Sequence, residues 1–248
     1  MLVSIIIPVL DEAQTIGATL AALRQCDGAA ELIVVDGGSR DETCALARAC
    51  GAQVIMCERG RGAQLHAGVR VARGRVLWFL HADTAPPADA LAAITTALKR
   101  DPHAVGGNFA VRFDGADGAA RFLTWLYPRL RRLGLCYGDS AFFVRRDVYE
   151  HVGGFRAFPI FEDLDLLRRL KRRGRFLHLD AEVTTSARRF AGRSFAGTFA
   201  RWSLLQLLYW LGVHPRTLAR LYAPIRARAT TAHTRASNAR DTYASEGK

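Results

Sequence analysis

In its first hundred positions the chain sets short, unbroken apolar runs between stretches of helical periodicity; beyond them it turns to amphipathic segments. Ser4-Ile5-Ile6-Ile7-Pro8-Val9, Glu31-Leu32-Ile33-Val34-Val35 and Arg75-Val76-Leu77-Trp78-Phe79-Leu80 show little polar alternation. Such runs read as strands buried on both faces, the habit of parallel sheets. Ala52 to Cys57 adds another strand. Between the runs, Ala13 to Gln25 carries Ile16, Leu20 and Leu23 at helical spacing, and Asp41 can cap a helix from Glu42 to about Cys50 that Gly51 closes. Ala63 to Ala72, and Ala88 to Lys99 after Pro86-Pro87, complete the series. This alternation predicts an α/β fold, a mostly parallel sheet flanked by helices.

The pattern then changes. Gly107 to Phe113 reads as a strand of mixed polarity, Ala119 to Leu133 as an amphipathic helix and Ala141 to Arg145 as a strand. Gly153-Gly154-Phe155 reads as a turn, Phe161 to Arg173 as a helix stopped by Gly174, and Phe176 to Leu179 as a short strand. These α+β additions are expected to finish the sheet. Amphipathic helical stretches follow from beyond Ser194 to about Arg228, and then a polar Thr/Ala/Arg tail. The expected organisation is one domain over residues 1–190, a basic helical appendage over 191–230 and a disordered tail over 231–248.

With 248 residues, half of them hydrophobic, the chain has enough apolar surface for a large core, which excludes wholesale disorder. Cys26, Cys44, Cys50, Cys57 and Cys136 are odd in number and lack a Cys-x-x-Cys pair, so reduced thiols of a cytoplasmic protein are expected rather than disulfides or a zinc site. Leu2 to Leu10 lacks a basic leader and reads as a strand rather than a signal peptide. No apolar run of spanning length appears. The net charge of +12 is uneven: residues 1–163 hold 18 Lys+Arg against 18 Asp+Glu, and residues 164–248 hold 17 against 5.

Acidic residues stand where the apolar runs end: Asp11-Glu12 after the first, Asp36 after the second and Asp83 after the fourth strand, with Glu162-Asp163 later, at a helix start. Ligands of open α/β sheets gather at the carboxyl ends of the strands, so three of these stations are expected in one crevice. Asp36 before Gly37-Gly38 suits a base or ribose contact, or a turn-forming aspartate. Asp83 in His81-Ala82-Asp83-Thr84 suits a hard-oxygen ligand for Mg²⁺ or Mn²⁺, or a helix cap; His81 is compatible with Mn²⁺, but a hydrogen-bonding role beneath the site is favoured because imidazole is a poor Mg²⁺ ligand. Gly60-Arg61-Gly62-Ala63-Gln64 before a helix suits phosphate, or an ordinary glycine-rich turn. Asp163, partly desolvated by Phe158 and Phe161, suits a general base, or a dipole-favoured acid in a first helical turn.

Ser4 to Glu12, Val34-Val35-Asp36-Gly37-Gly38-Ser39-Arg40-Asp41, Gly60 to Gln64, His81-Ala82-Asp83-Thr84 and Phe161-Glu162-Asp163-Leu164-Asp165 together resemble the family 2 inverting glycosyltransferases of the GT-A fold, over about residues 1–190. The resemblance implies that Asp36 contacts a nucleotide, Asp83 holds the metal and Asp163 is the base. The family's Asp-x-Asp often has an acid where His81 stands. On this reading Pro8, Glu12, Asp36, Arg61, Gln64, Asp83 and Arg189 lie on the side of a nucleotide-diphospho-sugar donor, and Gly138, Asp139 and Glu162 on the acceptor side.

Two rivals stay open. A nucleotidyltransferase would want a Gly-rich basic loop where Asp11-Glu12-Ala13-Gln14 stands, and a non-catalytic binder is suggested by the basic tail. Nucleic acid is not an expected partner, because the aromatic residues cluster in apolar helices. Those helices, with Phe122 and Trp125 among arginines and Trp202, Tyr209 and Trp210 further on, suit either peripheral docking on the cytoplasmic membrane face or a core or homodimer contact. A lipid or polyprenyl-linked acceptor is one of the alternatives.

Overall fold

A computed structural model describes residues 1–115, 118–132, 138–186 and 194–221. The apolar runs become β1 (Val3–Val9), β2 (Ala30–Asp36) and β4 (Val76–Phe79), with β3 (Gln53–Met56) at one edge. Parallel pairings join β3 to β2, β2 to β1 and β1 to β4. The whole eight-stranded order is β3-β2-β1-β4-β7-β6-β8-β5, where β5 is Thr84–Ala85, β6 Ala104–Phe113, β7 Phe143–Arg145 and β8 Arg175–Thr185. β7 runs antiparallel between β4 and β6, and β8 lies parallel to β6.

Alternation along each strand divides the core into two layers. Ile5, Ile7, Val34 and Trp78 face α1 (Ile16–Arg24) and α4 (Ala90–Arg100). Ile6, Ile33, Val35, Leu77 and Phe79 face α3 (Arg61–Val71) and α7 (Glu162–Lys171). Because both layers are apolar, β1 and β4 cannot alternate in polarity, which is why they read as continuous runs. Further helices among the described residues include α2 (Thr43–Ala49), α5 (Gly118–Arg132), α6 (Arg146–His151) and α8 (Phe195–Trp210).

Three elements depart from the sequence expectation. β8 extends to Thr185 rather than stopping at Leu179, because Asp180, Glu182 and Thr184 alternate with more buried neighbours and no apolar run marks the strand. β5 is only two residues, held to β8 by Thr84 and Thr185, whose hydroxyls lie 3.0 Å apart. α6 follows β7 directly, with only Tyr149 buried, and carries no extended periodicity.

The chain divides into two compact units: residues 1–157 with 161–195, and residues 158–160 with those from 196 on. In the second, Leu205 and Leu218 are buried and the rings of Phe158 and His214 meet edge to face at 5.4 Å. Among the described residues no helix is long and apolar enough to cross a membrane. The boundary expected at residue 190 and the tail expected over 231–248 lie outside the described residues.

Candidate active site

Strand order fixes where the chemistry collects. The chain leaves β1 toward β2 on one side and has β4 on the other, so the carboxyl ends of β1 and β4 form a topological switch point, where open α/β sheets bind ligands. Pro8 sits at this divide. The Ile6 carbonyl accepts from Leu80 on the β4 side and the Val9 carbonyl from Gly37 on the β2 side. Alternation therefore turns Pro8 toward β4, beyond the last β1–β4 pair, Ile6 with Phe79. Its missing N–H costs no ladder bond there.

On the β2 side, two loops are laced together. Asp36 is fully buried and accepts from the amides of Gly38 (2.9 Å) and Ser39 (3.0 Å) and from the Ser39 hydroxyl. Ser39 Oγ in turn accepts from the Asp11 amide at 2.9 Å, and the Asp11 carboxylate accepts from the Arg40 amide at 2.8 Å. The Glu12 amide donates to Thr43 Oγ1 at 2.8 Å, and the Ala13 amide to Asp41 at 3.1 Å. The Thr43 hydroxyl, followed by the amides of Ala13 and Thr43, holds the Asp41 carboxyl below its usual range. Asp36 thus shapes the turn that carries the rim. Gln64 lies under this rim, buried, its amide donating to the carbonyls of Val9 (2.9 Å) and Val35 (2.8 Å). That geometry ties the ends of β1 and β2 together.

On the β4 side, the antiparallel β7 begins where β4 ends and so delivers the Gly138–Ser140 turn to the same edge. A cleft there is lined by Arg61, Leu65, Phe79, Leu80, His81, Gly138, Phe142 and Asp163. Arg61, at the start of α3, pairs through Nε with Glu162 and through Nη2 with Asp163 at 3.1 Å; its Nη1 lies 3.4 Å from His81 Nε2. Burial opposes the charge of Arg61, but Glu162 and Asp163 outweigh it and hold the guanidinium protonated well above its ordinary value. The Gly138 amide donates to Asp163 Oδ2 at 2.6 Å. A Cβ on Gly138 would stand 2.7 Å from that oxygen, and one on Gly62 would stand 3.1 Å from Glu162 Cγ, so both glycines let the acids approach. Asp139 accepts from the Tyr127 hydroxyl at 2.6 Å.

Asp83 is half-buried between β4 and β5. Its backbone is pinned on both sides: the Thr19 hydroxyl donates to the Ala82 carbonyl at 2.8 Å, and the Ser186 amide to the Asp83 carbonyl at 3.2 Å. Among the described residues no three His, Cys, Asp or Glu side chains are grouped to hold a metal. A divalent cation at Asp83 would take one protein carboxylate and draw its other ligands from phosphate oxygens and water, a usual arrangement for Mg²⁺. The donor set fits that group.

The sequence model of glycosyl transferase family 2 matches residues 4–157, which holds the two laced loops, Arg61, Asp83 and Asp139. The chain belongs to glycosyl transferase family 2. Among curated relatives, glucosyl-3-phosphoglycerate synthase of Mycolicibacterium paratuberculosis is 34% identical over 96 residues, which cover 34% of this chain and 29% of that protein. The chain therefore spans well under two thirds of that relative. Among solved structures, the mannosyltransferase PcManGT of Pyrobaculum calidifontis, in complex with GDP-Man and Mn²⁺, superposes with a TM-score of 0.64 at 21% identity, covering 83% of this chain and 61% of that one. Glucosyl-3-phosphoglycerate synthase of Mycobacterium tuberculosis, with Mn²⁺, UDP-glucose and phosphoglyceric acid, superposes with a TM-score of 0.57 at 21% identity, covering 73% and 69%. The fold is that of the GT-A glycosyltransferases.

The structure brings Arg61, Gly138, Glu162 and Asp163 into one contact set, with His81 beside it. Pro8, Glu12 and Asp36 belong to the opposite rim, and Arg189 lies outside the described residues. Sequence reasoning missed the hold of Tyr127 on Asp139 and the Arg61–acid pairing. Nothing local marks either, since Arg61 and Glu162 are 101 residues apart.

Proposed function

We propose that the chain transfers a sugar from a nucleotide-diphospho-sugar to an acceptor hydroxyl with inversion, using Asp163 as the general base. In this step Asp163 removes the acceptor proton as the hydroxyl oxygen bonds to the anomeric carbon, and the bond to the diphosphate breaks on the opposite face. The observation that carries the reading is the placing of Asp163. It is nearly buried in the first turn of α7, in a cleft at the carboxyl end of β4, and accepts bonds from the Gly138 amide and Arg61. Those contacts fix the carboxylate in the cleft, where a base for the acceptor hydroxyl must stand. Asp83 is assigned to Mg²⁺ or Mn²⁺, which when bound would neutralise diphosphate charge. The Mn²⁺ complexes of two structural relatives support that assignment.

The acceptor is read as a hydroxyl borne on a lipid or polyprenyl carrier, reached by peripheral attachment to the cytoplasmic membrane face. Support comes from the basic excess after residue 163 and from Leu204, Leu207 and Trp210, each at least half exposed on α8.

Thermal-shift measurements with UDP-, GDP- and dTDP-sugars, each with and without Mn²⁺, test the donor, because a ligand of the native state raises its melting temperature. Asp83→Ala should abolish the Mn²⁺-dependent part of that shift. Asp163→Asn should keep the shift while turnover falls by roughly a hundredfold or more. Near-normal turnover in Asp163→Asn would remove the base assignment.

A further inference from the structure

α5 carries two unlike faces. Its inner side buries Ala120 and Leu123, and Tyr127 packs edge to face on Phe113 while its hydroxyl donates to Asp139. Its outer side presents Arg121, Phe122, Trp125, Arg129 and Arg132, spaced to share one helical stripe. Trp125 is 53% exposed; Phe122 meets the Phe195 ring edge to face at 5.6 Å on one side and is still 39% exposed. The Arg129 guanidinium lies 3.8 Å from the centre of the Trp125 ring, and the Phe122 and Trp125 rings stand 5.8 Å apart. No acid occurs anywhere in Gly118–Arg132. Arg131 points the other way, donating to the Leu179 carbonyl, so the outward cations are Arg121, Arg129 and Arg132.

We propose that the outer face of α5 docks on an anionic lipid bilayer, with Phe122 and Trp125 in the headgroup layer and Arg121, Arg129 and Arg132 against lipid phosphates. This rests on the reading of a membrane-borne acceptor and names the surface that would meet the membrane. Charge complementarity selects an anionic partner, since the stripe holds three cations and no anion. The exposed rings select a bilayer over nucleic acid, because a single convex helix has no groove to track a phosphate backbone, whereas a basic helix with aromatic residues lies in a lipid interface. Arginine stems beside the rings can stay with the headgroups while the guanidinium groups reach phosphate.

The location gives the contact a purpose. Asp139, held by Tyr127 of α5, adjoins Gly138, whose amide holds the base Asp163. A bilayer on the outer face of α5 is therefore one helix thickness from the acceptor side of the cleft. A hydroxyl on a short lipid-linked headgroup would be presented where the base waits.

The test is co-sedimentation of the full chain with vesicles of equal phosphatidylglycerol and phosphatidylcholine, and with phosphatidylcholine alone. Binding is expected to the anionic vesicles at low salt and to weaken in about 0.5 M salt, where charges are screened within a few ångströms. The triple variant Arg121→Gln, Arg129→Gln, Arg132→Gln should lower partitioning by about tenfold or more, and Trp125→Ser should lower it at unchanged charge. A matched control outside α5 and α8, Arg24→Gln, Arg48→Gln, Arg70→Gln, should change it by less than about threefold. Both triple variants should keep the nucleotide-dependent thermal shift, which shows them folded. Equal partitioning of the α5 variant and wild type, absence of binding to anionic vesicles, tighter binding to a single-stranded oligonucleotide, or loss of a concentration-dependent dimer in the α5 variant would each overturn the proposal. A nucleotide-dependent shift without vesicle binding sinks the docking face alone; vesicle binding without that shift sinks the transferase reading alone.

Discussion

Removing Arg61 should cost more stability than its position at a cleft edge suggests. Glu162 and Asp163 are adjacent in sequence, and their side chains are 4% and 10% exposed. Arg61 contacts both, and its own side chain is 34% exposed. Breaking a fully buried ion pair by deleting one partner costs about 3–5 kcal/mol, and an exposed pair is worth about 0–1 kcal/mol. With the cation one-third exposed, water can replace part of what Arg61→Gln removes, and a loss of about 2 kcal/mol is expected. For a domain of this size that corresponds to a fall of roughly 4–8 °C in melting temperature. The decisive measurement is a double-mutant cycle by urea unfolding with Arg61→Gln, Glu162→Gln and the pair together. Once Glu162 is neutral, one buried charge no longer needs the cation, so the double variant should be more stable than the sum of the singles predicts by about 1 kcal/mol or more. Additivity within about 0.3 kcal/mol would refute the reasoning, because it would mean that solvent, not Arg61, compensates the acids.

Two further outcomes follow from the same geometry. Gly138→Ala places a methyl group 2.7 Å from Asp163 Oδ2, so the proposed base must move; turnover should drop by roughly tenfold to a hundredfold in steady-state assay while nucleotide affinity by calorimetry stays near wild type. Glu31, at the amino end of β2, is opposed by burial but held below the ordinary glutamate value of 4.5 by bonds from Ser4, Arg73 and Gly74. A depressed carboxyl contributes stability above its unfolded value and loses it as pH falls through the folded one. The deficit of Glu31→Gln against wild type, about 1 kcal/mol near pH 7, should therefore shrink toward zero in urea titrations carried progressively below that value.

The sheet was readable where burial is two-sided. Ile5, Ile6 and Ile7 face both core layers, so β1 could not be written with polar alternates, and β2 and β4 obey the same constraint. β8 was half-read because His178, Asp180, Glu182 and Thr184 lie on its less buried side, and a strand defined by its partner β6 leaves no run to find. At the site, the acidic stations could be placed because each ends a legible strand or opens a legible helix. Their partners could not. Arg61 and Gln64 stand five and eight residues after the end of β3 in a segment that suits phosphate equally well, and only the packing of α3 against α7 and under β1 and β2 gives them protein partners. Pairing of that kind is a property of which helices meet, and helix order along the chain does not determine it.

Backbone strain gives a further reason to treat the rim as a fixed template. Among the described residues, Asp11, Ala141 and Phe161 are the non-glycine positions with left-handed φ, at 54°, 48° and 61°. Each stands at the boundary of an element that reaches the site: after β1, before β7 and before α7. Such a conformation costs on the order of 1–3 kcal/mol and persists only where the surroundings over-determine it. Here they do. The Asp11 carboxylate takes the Arg40 amide, the Ala141 carbonyl takes Trp78 Nε1 at 2.9 Å, and Phe161 is buried while its carbonyl accepts the Asp165 amide in the first turn of α7. The side-chain bonds that oppose the strain at Asp11 and Ala141 reach across 29 and 63 residues, so neither conformation is a local preference. Relaxing any of them would swing the neighbouring acid or glycine, Glu12, Gly138 or Asp163, away from its partner. On the proposed function the acceptor and donor sides would thus be set before a substrate arrives, and adjustment on binding would fall to the partly exposed Arg61, whose guanidinium could trade a carboxylate for a phosphate without moving the backbone.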